Sequence, residues 1–319
     1  MLNWIKTQDG DIEKNKINSK KHFIKMKNNY IIVFILGCLQ LLITSCSVGS
    51  PLDDEQYVKQ VYLVGAHDKL QTKELSYNGD GNLYVSAALG GSLTSDKDVS
   101  VTLGCANQSN IILYNHKNVI EGDVNYQALP SEWYNLPSWS GTIRGGDVYT
   151  RIPIHVLTNK IDCDSLYVIP LKIISTSLYN VVKEDTVLMI NLKMTNNYSG
   201  LYVFDGTSTE YEDGKPNYSN TSVISTTRNL TAVNGNTVRL FQNASVEKQS
   251  NLQDNAYTLT VNADSSVMVK PWKDLTITDG GGTYDTKANT FNIWYFYTSG
   301  GKIYKMVVKL VKSITNDDE

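Results

Sequence analysis

The chain has few of the residues that mark a nucleophilic enzyme or a transition-metal site. It contains four histidines, and His67, His116 and His155 lie far apart in sequence. No Gly-x-Ser-x-Gly elbow is present. A catalytic triad or a zinc site built on closely spaced His and Cys is therefore not indicated, and no catalytic residue, metal or cofactor is expected. A glycosidase with two carboxylates on separate strands stays open, because β folds bring distant residues together.

Positive charge is also scarce. The chain carries 29 Lys and Arg against 32 Asp and Glu. From Cys46 onward the balance is 22 against 29, a net charge of −7. Binding to the phosphate backbone needs clustered lysines and arginines, so we expect no nucleic-acid partner.

A membrane-spanning apolar run is missing. The run from Tyr30 to Leu42 is shorter than the roughly 20 residues that a transmembrane helix needs, and it contains Gln40. It ends in Leu41-Leu42-Ile43-Thr44-Ser45-Cys46, the pattern of a lipobox, in which the signal is cut before the cysteine. Acyl chains on Cys46 would hold the protein at a membrane surface.

The sequence thus predicts a leader and lipoprotein signal peptide over residues 1–45, with the true start at Met26, and a lipidated tether over residues 46–55. The tether ends in Asp53-Asp54-Glu55. Acidic residues just after a lipidated cysteine resemble the signal that sends some lipoproteins to the cell exterior, and the alternative is an ordinary solvated linker. We expect an outer-membrane lipoprotein that faces the cell exterior.

Only two cysteines remain beyond the anchor, Cys105 and Cys163. Cys105 continues an alternation of apolar residues that begins at Val99. This pattern favours a buried free thiol, although an extracytoplasmic location would permit a disulfide between the two.

In the rest of the chain, apolar and polar residues alternate in short segments separated by turn-forming residues, and no long segment has the 3.6-residue period of a helix. For residues 56–194 we predict an immunoglobulin-like β-sandwich without the disulfide of antibody domains. The predicted strands are Val58 to Val64, Leu83 to Ala88, Val99 to Cys105, Ile111 to Tyr114, Val148 to Val156, Leu166 to Ile174 and Thr186 to Met194.

A polar triplet, Thr195-Asn196-Asn197, marks a domain boundary. For residues 198–315 we predict an antiparallel up-and-down β-barrel of the lipocalin-like kind. Its eight strands are expected to begin near Gly200, Thr221, Thr237, Ala256, Ser266, Leu275, Thr290 and Lys302. The strand from Phe291 to Tyr297 is apolar on both faces, which predicts that it is covered on both sides and that Trp294 belongs to a core.

Two glycine-rich segments could suggest ligand loops. Asn78-Gly79-Asp80-Gly81-Asn82 spaces oxygen ligands as calcium loops do, but it lacks the EF-hand glycine and distal glutamate, so a hairpin turn is favoured. Gly280-Gly281-Gly282 has no following helix or lysine to hold a phosphate and is interpreted as a flexible turn.

Aromatic residues in turn-like segments are the candidate ligand contacts. Trp272 follows Pro271 and ranks first as an accessible stacking platform, with Trp139 second. Trp133 and Tyr134 form a further candidate pair. For each tryptophan the alternative is that it packs over the end of a sandwich.

Residues 55–194 resemble a known domain. The resemblance rests on Tyr57-x4-Tyr62-Leu63-Val64-Gly65-Ala66, Leu129-Pro130…Trp133-Tyr134, Gly145-Gly146 and Tyr167-Val168-Ile169-Pro170-Leu171. This domain is the immunoglobulin-like N-terminal domain of outer-membrane lipoproteins in Sus-like glycan-utilisation systems, often found ahead of a family-eighteen glycosidase module. From Tyr198-Ser199-Gly200-Leu201-Tyr202 to Phe291-x-Ile293-x-Tyr295, residues 198–312 resemble the β-barrel domain of unknown function that follows it in non-enzymatic members. The resemblance implies surface glycan binding and implies no catalytic residue.

We therefore expect a lipid-anchored accessory protein that binds an oligo- or polysaccharide for an uptake system, with an outer-membrane transporter complex as a further partner. The rival hypothesis is a structural or adhesive surface lipoprotein that binds protein partners. A hydrolase with carboxylates on separate strands is the third.

Overall fold

The computed structural model describes residues 54–242 and 249–313. Residues Tyr57–Glu319 form one compact unit. The expected signal peptide, the lipidation site at Cys46 and most of the tether lie outside the described residues. Neither α-helix of the described part has the length and apolar content to cross a membrane.

The N-terminal half is a sandwich of two sheets. The strands are β1 (Gln60–Leu63), β2 (Leu70–Ser76), β3 (Asn82–Gly90), β4 (Val99–Cys105), β5 (Tyr126–Ala128), β6 (Tyr134–Asn135), β7 (Ser140–Ile143), β8 (Tyr149–Val156), β9 (Leu166–Thr176), β10 (Asn180–Val181) and β11 (Val187–Thr195). The first sheet has the strand order β10-β1-β3-β8-β6, and the second has the order β2-β11-β9-β4-β7 with β5 parallel to β9.

Alternating apolar residues fill the space between the two sheets. Val61, Val99, Ile143, Ile154 and Leu171 are fully buried in this core. Their burial is the main favourable contribution to the stability of the sandwich, at about 25 cal/mol for each Å² of apolar surface.

One predicted strand is instead a helix. Residues Ser109–Asn118 form α1, where a strand from Ile111 to Tyr114 had been predicted. The backbone N–H of Ser109 bonds to Oδ1 of Asn107, which favours a helical first turn. Ile111 is buried and Tyr114 is half-buried, at the i, i+3 spacing of one helix face, while Ile112 points to solvent.

The turn at Asn78–Asn82 is not a hairpin turn, which corrects the prediction. It joins β2 and β3, which lie in different sheets. Asp80 accepts hydrogen bonds from the backbone and side-chain amides of Asn82, which hold the pKa of this carboxyl below its usual range. A Cβ on Gly81 would lie 2.1 Å from the carbonyl oxygen of Val156, so only glycine fits.

The C-terminal half is a closed barrel of eight antiparallel strands in sequence order. The predicted all-β class, a sandwich followed by an antiparallel barrel, is confirmed. The strands are β12 (Gly200–Glu212), β13 (Lys215–Ala232), β14 (Thr237–Phe241), β15 (Ala256–Val261), β16 (Ser266–Pro271), β17 (Ile277–Asp285), β18 (Thr290–Ser299) and β19 (Lys302–Lys312), with a short helix α2 (Leu252–Asn255) before β15.

Aromatic side chains fill the barrel. Tyr202, Phe204, Tyr257, Phe291 and Tyr295 are fully buried there. Tyr257 and Tyr295 contact each other with ring centroids 5.0 Å apart. The barrel interior is thus a packed core of the kind found in small barrels.

The glycine triplet lies inside β17, so the expected flexible turn is not observed. A Cβ on Gly280 would lie 2.7 Å from Cβ of Tyr295. A Cβ on Gly282 would lie 2.2 Å from the carbonyl oxygen of Asn292. The glycines permit this close approach of β17 to the bulky residues of β18.

Two burial predictions also fail. Cys105 is a free cysteine, as predicted, but it is exposed because it is the last residue of β4, beyond the sandwich core. The outward side chains of β18, Trp294 and Phe296, are only half-buried, so Trp294 does not belong to the barrel core.

Candidate functional site

Trp272, the first-ranked platform, is not an open loop residue. It is half-buried and packs against Phe241, Leu252 and Ala256. Its indole N–H is buried and has no hydrogen-bond partner among the described residues, and the guanidinium carbon of Arg239 lies 4.7 Å from the ring centroid. One face of this ring is therefore occupied by an arginine.

The other three predicted aromatics lie on the sandwich. Trp139 is 37% exposed, directly before β7. Trp133 and Tyr134 are half-buried against the sandwich core, and Trp133 contacts Tyr167 edge to face. Within residues 54–242 and 249–313, none of the four predicted residues forms a ring pair with another. The structure thus does not gather them into one aromatic surface.

A different aromatic surface lies on the outside of the barrel, where strands β18, β19, β12 and β13 are neighbours. Trp294, Val307, Thr207 and Val223 are register partners in one row across these strands. Val307 is 50% exposed and Val223 is 79% exposed. The row places a half-buried indole beside exposed apolar side chains.

A polar row lies two residues further along each strand. It consists of Asn292, Lys309, Asp205 and Ser225, which are again register partners. Two residues of a strand span about 7 Å, so Asn292 lies about one sugar ring from Trp294, and the other three side chains lie further away across strands spaced about 4.8 Å apart. Ser225 donates to Asp205 over 2.6 Å, which orients the carboxylate. We call these two rows together the Trp294 face.

The opposite side of Trp294 carries a second aromatic group. The Nζ atom of Lys305 lies 5.2 Å from the ring centroid of Trp294 and 5.3 Å from that of Phe296. Tyr211 contacts Phe296 edge to face, with centroids 5.1 Å apart. These contacts fix the ring orientations and place a positive charge beside the indole.

The Trp294 face encloses a shallow depression of about 520 Å³. An indole suits the apolar C–H face of a sugar, and amide, ammonium and carboxylate groups suit its hydroxyls. The sequence carried one signal for this site, the alternation of β18: Phe291, Ile293 and Tyr295 share the buried face, so Trp294 must point outward.

A second depression, of about 590 Å³, lies between the sandwich and the barrel. Its lining includes the Glu74–Lys193 ion pair, with 2.6 Å between Nζ and Oε1, and Asn191, which donates to Thr72. The described residues of its lining include no aromatic side chain. The Trp294 face is therefore the better platform for a sugar.

Asp162, Cys163 and Asp164 bring two carboxylates and a thiol within 4.8 Å of one another. Burial and the neighbouring Asp164 raise the pKa of Cys163 to about 11, which keeps the thiol protonated. Arg239 Nη1 lies 2.6 Å from Asp164 Oδ1. This group therefore serves as a contact between sandwich and barrel, since the arginine already pairs with the carboxylate.

Comparison with known proteins gives two family models that match adjacent parts of the chain. A model described as an N-terminal domain matches residues 57–180, and a model described as C-terminal matches residues 186–311. The second range includes β11, which pairs in the sandwich with β2 and β9. No curated protein matches the chain.

Several solved structures share the fold at low sequence identity. A protein of unknown function from Bacteroides ovatus has a TM-score of 0.57 at 15% identity, over 81% of this chain and 96% of the other. An auxiliary nutrient binding protein from Bacteroides thetaiotaomicron has a TM-score of 0.54 at 15% identity, over 77% and 91%. A multidomain protein including DUF1735 from Bacteroides ovatus has a TM-score of 0.52 at 15% identity, over 77% and 89%. These similarities show a shared fold.

Proposed function

We propose that this protein is a carbohydrate-binding accessory protein of a polysaccharide-utilisation system, and that it binds glycan at the Trp294 face. The observation that carries the proposal is an outward indole with a row of hydrogen-bonding side chains about 7 Å away along the strands. The resemblance to lipoproteins of glycan-utilisation systems supports the same role. One protein with this fold is described as an auxiliary nutrient binding protein.

Binding is expected to depend on stacking at Trp294 and on hydrogen bonds from the polar row. Asn292 and Lys309 form no side-chain hydrogen bond with other described residues, so their amide and ammonium groups can donate to ligand hydroxyls. We expect Trp294→Ala to weaken glycan binding at least tenfold, which corresponds to about 1.4 kcal/mol. The melting temperature should change little, since the side chain lies outside the core.

A glycan array followed by affinity electrophoresis tests this, with two other tryptophans as controls. Trp139→Ala removes an exposed indole on the sandwich and should leave binding intact. Trp272→Ala removes packing around Phe241 and should lower stability by about 2 kcal/mol or more. Normal glycan affinity in the Trp294 variant, or loss of binding in the Trp139 variant alone, would place the site elsewhere.

We further propose anchoring to the outer membrane, facing the cell exterior, through lipid on Cys46. The small-residue run before the cysteine supports this proposal. Cys46→Ala should abolish metabolic labelling with an acyl probe, because the acceptor thiol is gone. Undiminished labelling of the variant would contradict the proposal, and protease treatment of intact cells tests the outward orientation separately.

The rival role, binding of protein partners such as a transporter, has one observation in its favour. Ile112 and Leu113 on α1, and Ile120 just after it, are 63%, 54% and 74% exposed. Exposed apolar side chains that cluster on a surface are typical of protein contacts. A protein that binds no glycan on the array but retains a transporter subunit in pull-down from its own cells would favour this role.

A further inference from the structure

One end of the sandwich carries a group of exposed apolar side chains. Tyr57 and Val58 lie just before β1, and both are exposed. Val148 and Tyr149 lie where β8 begins and are 52% and 48% exposed. Leu93, shortly after β3, is also exposed. We call these five residues the apolar rim.

Strand pairing brings the members of the apolar rim together. β3 lies between β1 and β8 in the first sheet, antiparallel to both. The backbone N–H of Tyr57 donates to Oγ of Ser92, just beyond the end of β3, over 3.2 Å. The backbone N–H of Leu89 in β3 donates to the carbonyl of Val148 over 2.8 Å. The apolar rim therefore lies at the end of this sheet where β1 and β8 begin and β3 ends.

The barrel is attached at the opposite end of the sandwich. The chain enters the barrel after Thr195, which pairs with Ser76, the last residue of β2. The turn after β2 lies close to the barrel, since a Cβ on Gly235 would lie 2.6 Å from Oδ1 of Asn78. β3 begins directly after this turn, at Asn82, and ends eight residues later beside the apolar rim. Eight residues of a strand span about 27 Å, so the length of the sandwich separates the rim from the barrel.

The chain that leads to the lipidation site joins the fold at the apolar rim. The compact unit begins at Tyr57, which is itself a member of the rim. Cys46 precedes Tyr57 by eleven residues. An extended chain spans at most about 3.6 Å for each residue, so a lipid on Cys46 stays within about 40 Å of the rim. The anchor therefore holds the rim next to a lipid surface.

Charged side chains beside the apolar rim suit lipid headgroups. Arg144, Asp147 and Arg151 line a depression of about 530 Å³ together with Val148 and Tyr149. The guanidinium carbon of Arg151 lies 5.8 Å from the ring centroid of Tyr149. Guanidinium groups bind phosphate through paired N–H donors, and tyrosine rings favour the boundary between water and lipid. Charges of both signs match the phosphate and the ammonium of a zwitterionic headgroup.

We propose that the apolar rim docks on the lipid surface to which Cys46 is anchored, with Arg144 and Arg151 at the headgroup phosphates. This docking rests on the proposed anchoring through Cys46. Buried apolar side chains add to the binding that acyl chains supply. The sandwich then acts as a spacer that holds the barrel about 27 Å from the headgroups. The Trp294 face, on the barrel, stays clear of the membrane and accessible to glycan.

Vesicle sedimentation of a singly acylated protein tests the docking. The sample is the mature chain, residues 46–319, coupled chemically at Cys46 to one myristoyl chain. Cys105→Ser in every sample removes the other exposed thiol. The vesicles consist of phosphatidylcholine. One myristoyl chain alone gives only marginal binding, so the contribution of the apolar rim is measurable.

Two valines of equal exposure give the variant and its control. Val148→Asp should weaken vesicle binding about tenfold, because a charge replaces an apolar side chain at the lipid boundary. Val307→Asp on the barrel, where the side chain is 50% exposed, should bind as the wild type does. Equal binding of Val148→Asp and the wild type, or equal loss in both variants, would overturn the proposal. So would a dimer that forms without vesicles and is lost in Val148→Asp while vesicle binding is unchanged, because the rim would then bind a second copy.

A depth measurement locates the contact. Tyr149→Trp and Tyr84→Trp place an indole at positions that are 48% and 49% exposed on the same sheet. Tyr84 lies four residues before Ala88, the register partner of Tyr149, so it is about 13 Å nearer the barrel. Brominated phosphatidylcholine should quench the added fluorescence of Tyr149→Trp and leave that of Tyr84→Trp unchanged. Quenching of both or of neither contradicts docking through the rim.

The docking and the anchoring can fail separately. The myristoyl chain is attached chemically, so the vesicle experiments do not depend on acylation in cells. A negative vesicle result therefore counts against the apolar rim alone. Undiminished acyl labelling of Cys46→Ala counts against the anchoring, and with it against a membrane as the natural partner of the rim.

Discussion

Arg228 connects two strands at the point where their ladder ends. Its guanidinium is buried inside the barrel and donates to the backbone carbonyls of Phe241 and Gln242. Nη1 donates to the carbonyl of Thr227 over 3.1 Å, and the guanidinium carbon lies 5.2 Å from the ring centroid of Phe204. Burial lowers the pKa of this arginine, but carbonyl oxygens and an aromatic face compensate the buried charge. The side chain thus replaces ladder hydrogen bonds where β13 and β14 diverge.

Replacing Arg228 should destabilise the barrel strongly. Arg228→Ala leaves at least two carbonyl groups without a donor, and each costs about 1–3 kcal/mol when buried. Arg228→Lys keeps the charge but offers one compact donor group, so we expect an intermediate loss. Denaturant unfolding of both variants measures the effect, and Arg144→Ala, at an exposed arginine, is the control. Equal stability of Arg228→Ala and the control would show that the side chain does not connect the strands.

Individual tryptophans show how far the site could be predicted from sequence. Proline before Trp272 and charged residues after it suggested an open loop, but the chain folds the ring back onto α2 and Arg239. That contact depends on β14, distant in sequence, so local composition could not reveal it. The alternation of β18 did indicate that Trp294 points outward. The prediction that Trp294 belongs to a core failed because both faces of the strand are apolar.

At the scale of elements, barrel strands were predictable and sandwich edges were not. Each barrel strand presents an alternating face to a filled interior, so the expected starts at Gly200, Thr237, Ala256, Ser266, Thr290 and Lys302 agree with the structure. Strand β2 lies at the edge of its sheet, and only Leu75 of its seven residues is buried. It was missed because its sequence therefore shows no alternation of apolar and polar residues. Helix α1 was missed because four successive apolar residues fit a short strand as well as a helix.

Residues outside the elements were the hardest to place. The Asn78–Asn82 turn has the glycines and acid of a hairpin, yet it crosses from one sheet to the other. The Gly280–Gly282 triplet looks like a turn, yet it allows a strand to approach Tyr295. In both cases the residue that approaches the glycine is distant in sequence. The neighbouring sequence therefore does not specify whether the glycine forms a turn or permits a close contact with another strand.

In the molecule as a whole, two separate cores meet at a small polar junction. Among the residues that the structure describes, the sandwich core and the barrel core share no buried residue. Arg239 of β14 is 4% exposed at its side chain and pairs with Asp164 of the sandwich, while Trp272 covers its other side. The predicted domain boundary at Thr195-Asn196-Asn197 stays a prediction, and the junction suggests how to test it.

Asn196 belongs to the end of the barrel. It is 7% exposed, and its amide nitrogen donates to the carbonyls of Asn234 and Thr237 over 2.6 and 3.0 Å. Its Oδ1 accepts from the backbone N–H groups of Tyr198 and Ser199. A barrel that begins at residue 198 therefore loses the side chain that closes the turn between β13 and β14.

We expect residues 196–319 to fold alone into a β-rich unit with a cooperative melt, because the barrel closes its own core. Residues 198–319 should also fold but melt at a lower temperature, since each buried carbonyl left without a donor costs about 1–3 kcal/mol. Circular dichroism of both fragments on heating measures this, and Asn196→Ala in the full chain should reproduce the loss. If both fragments are unfolded while the full chain melts as one transition, the Arg239–Asp164 junction is essential to the barrel, and the predicted boundary is wrong.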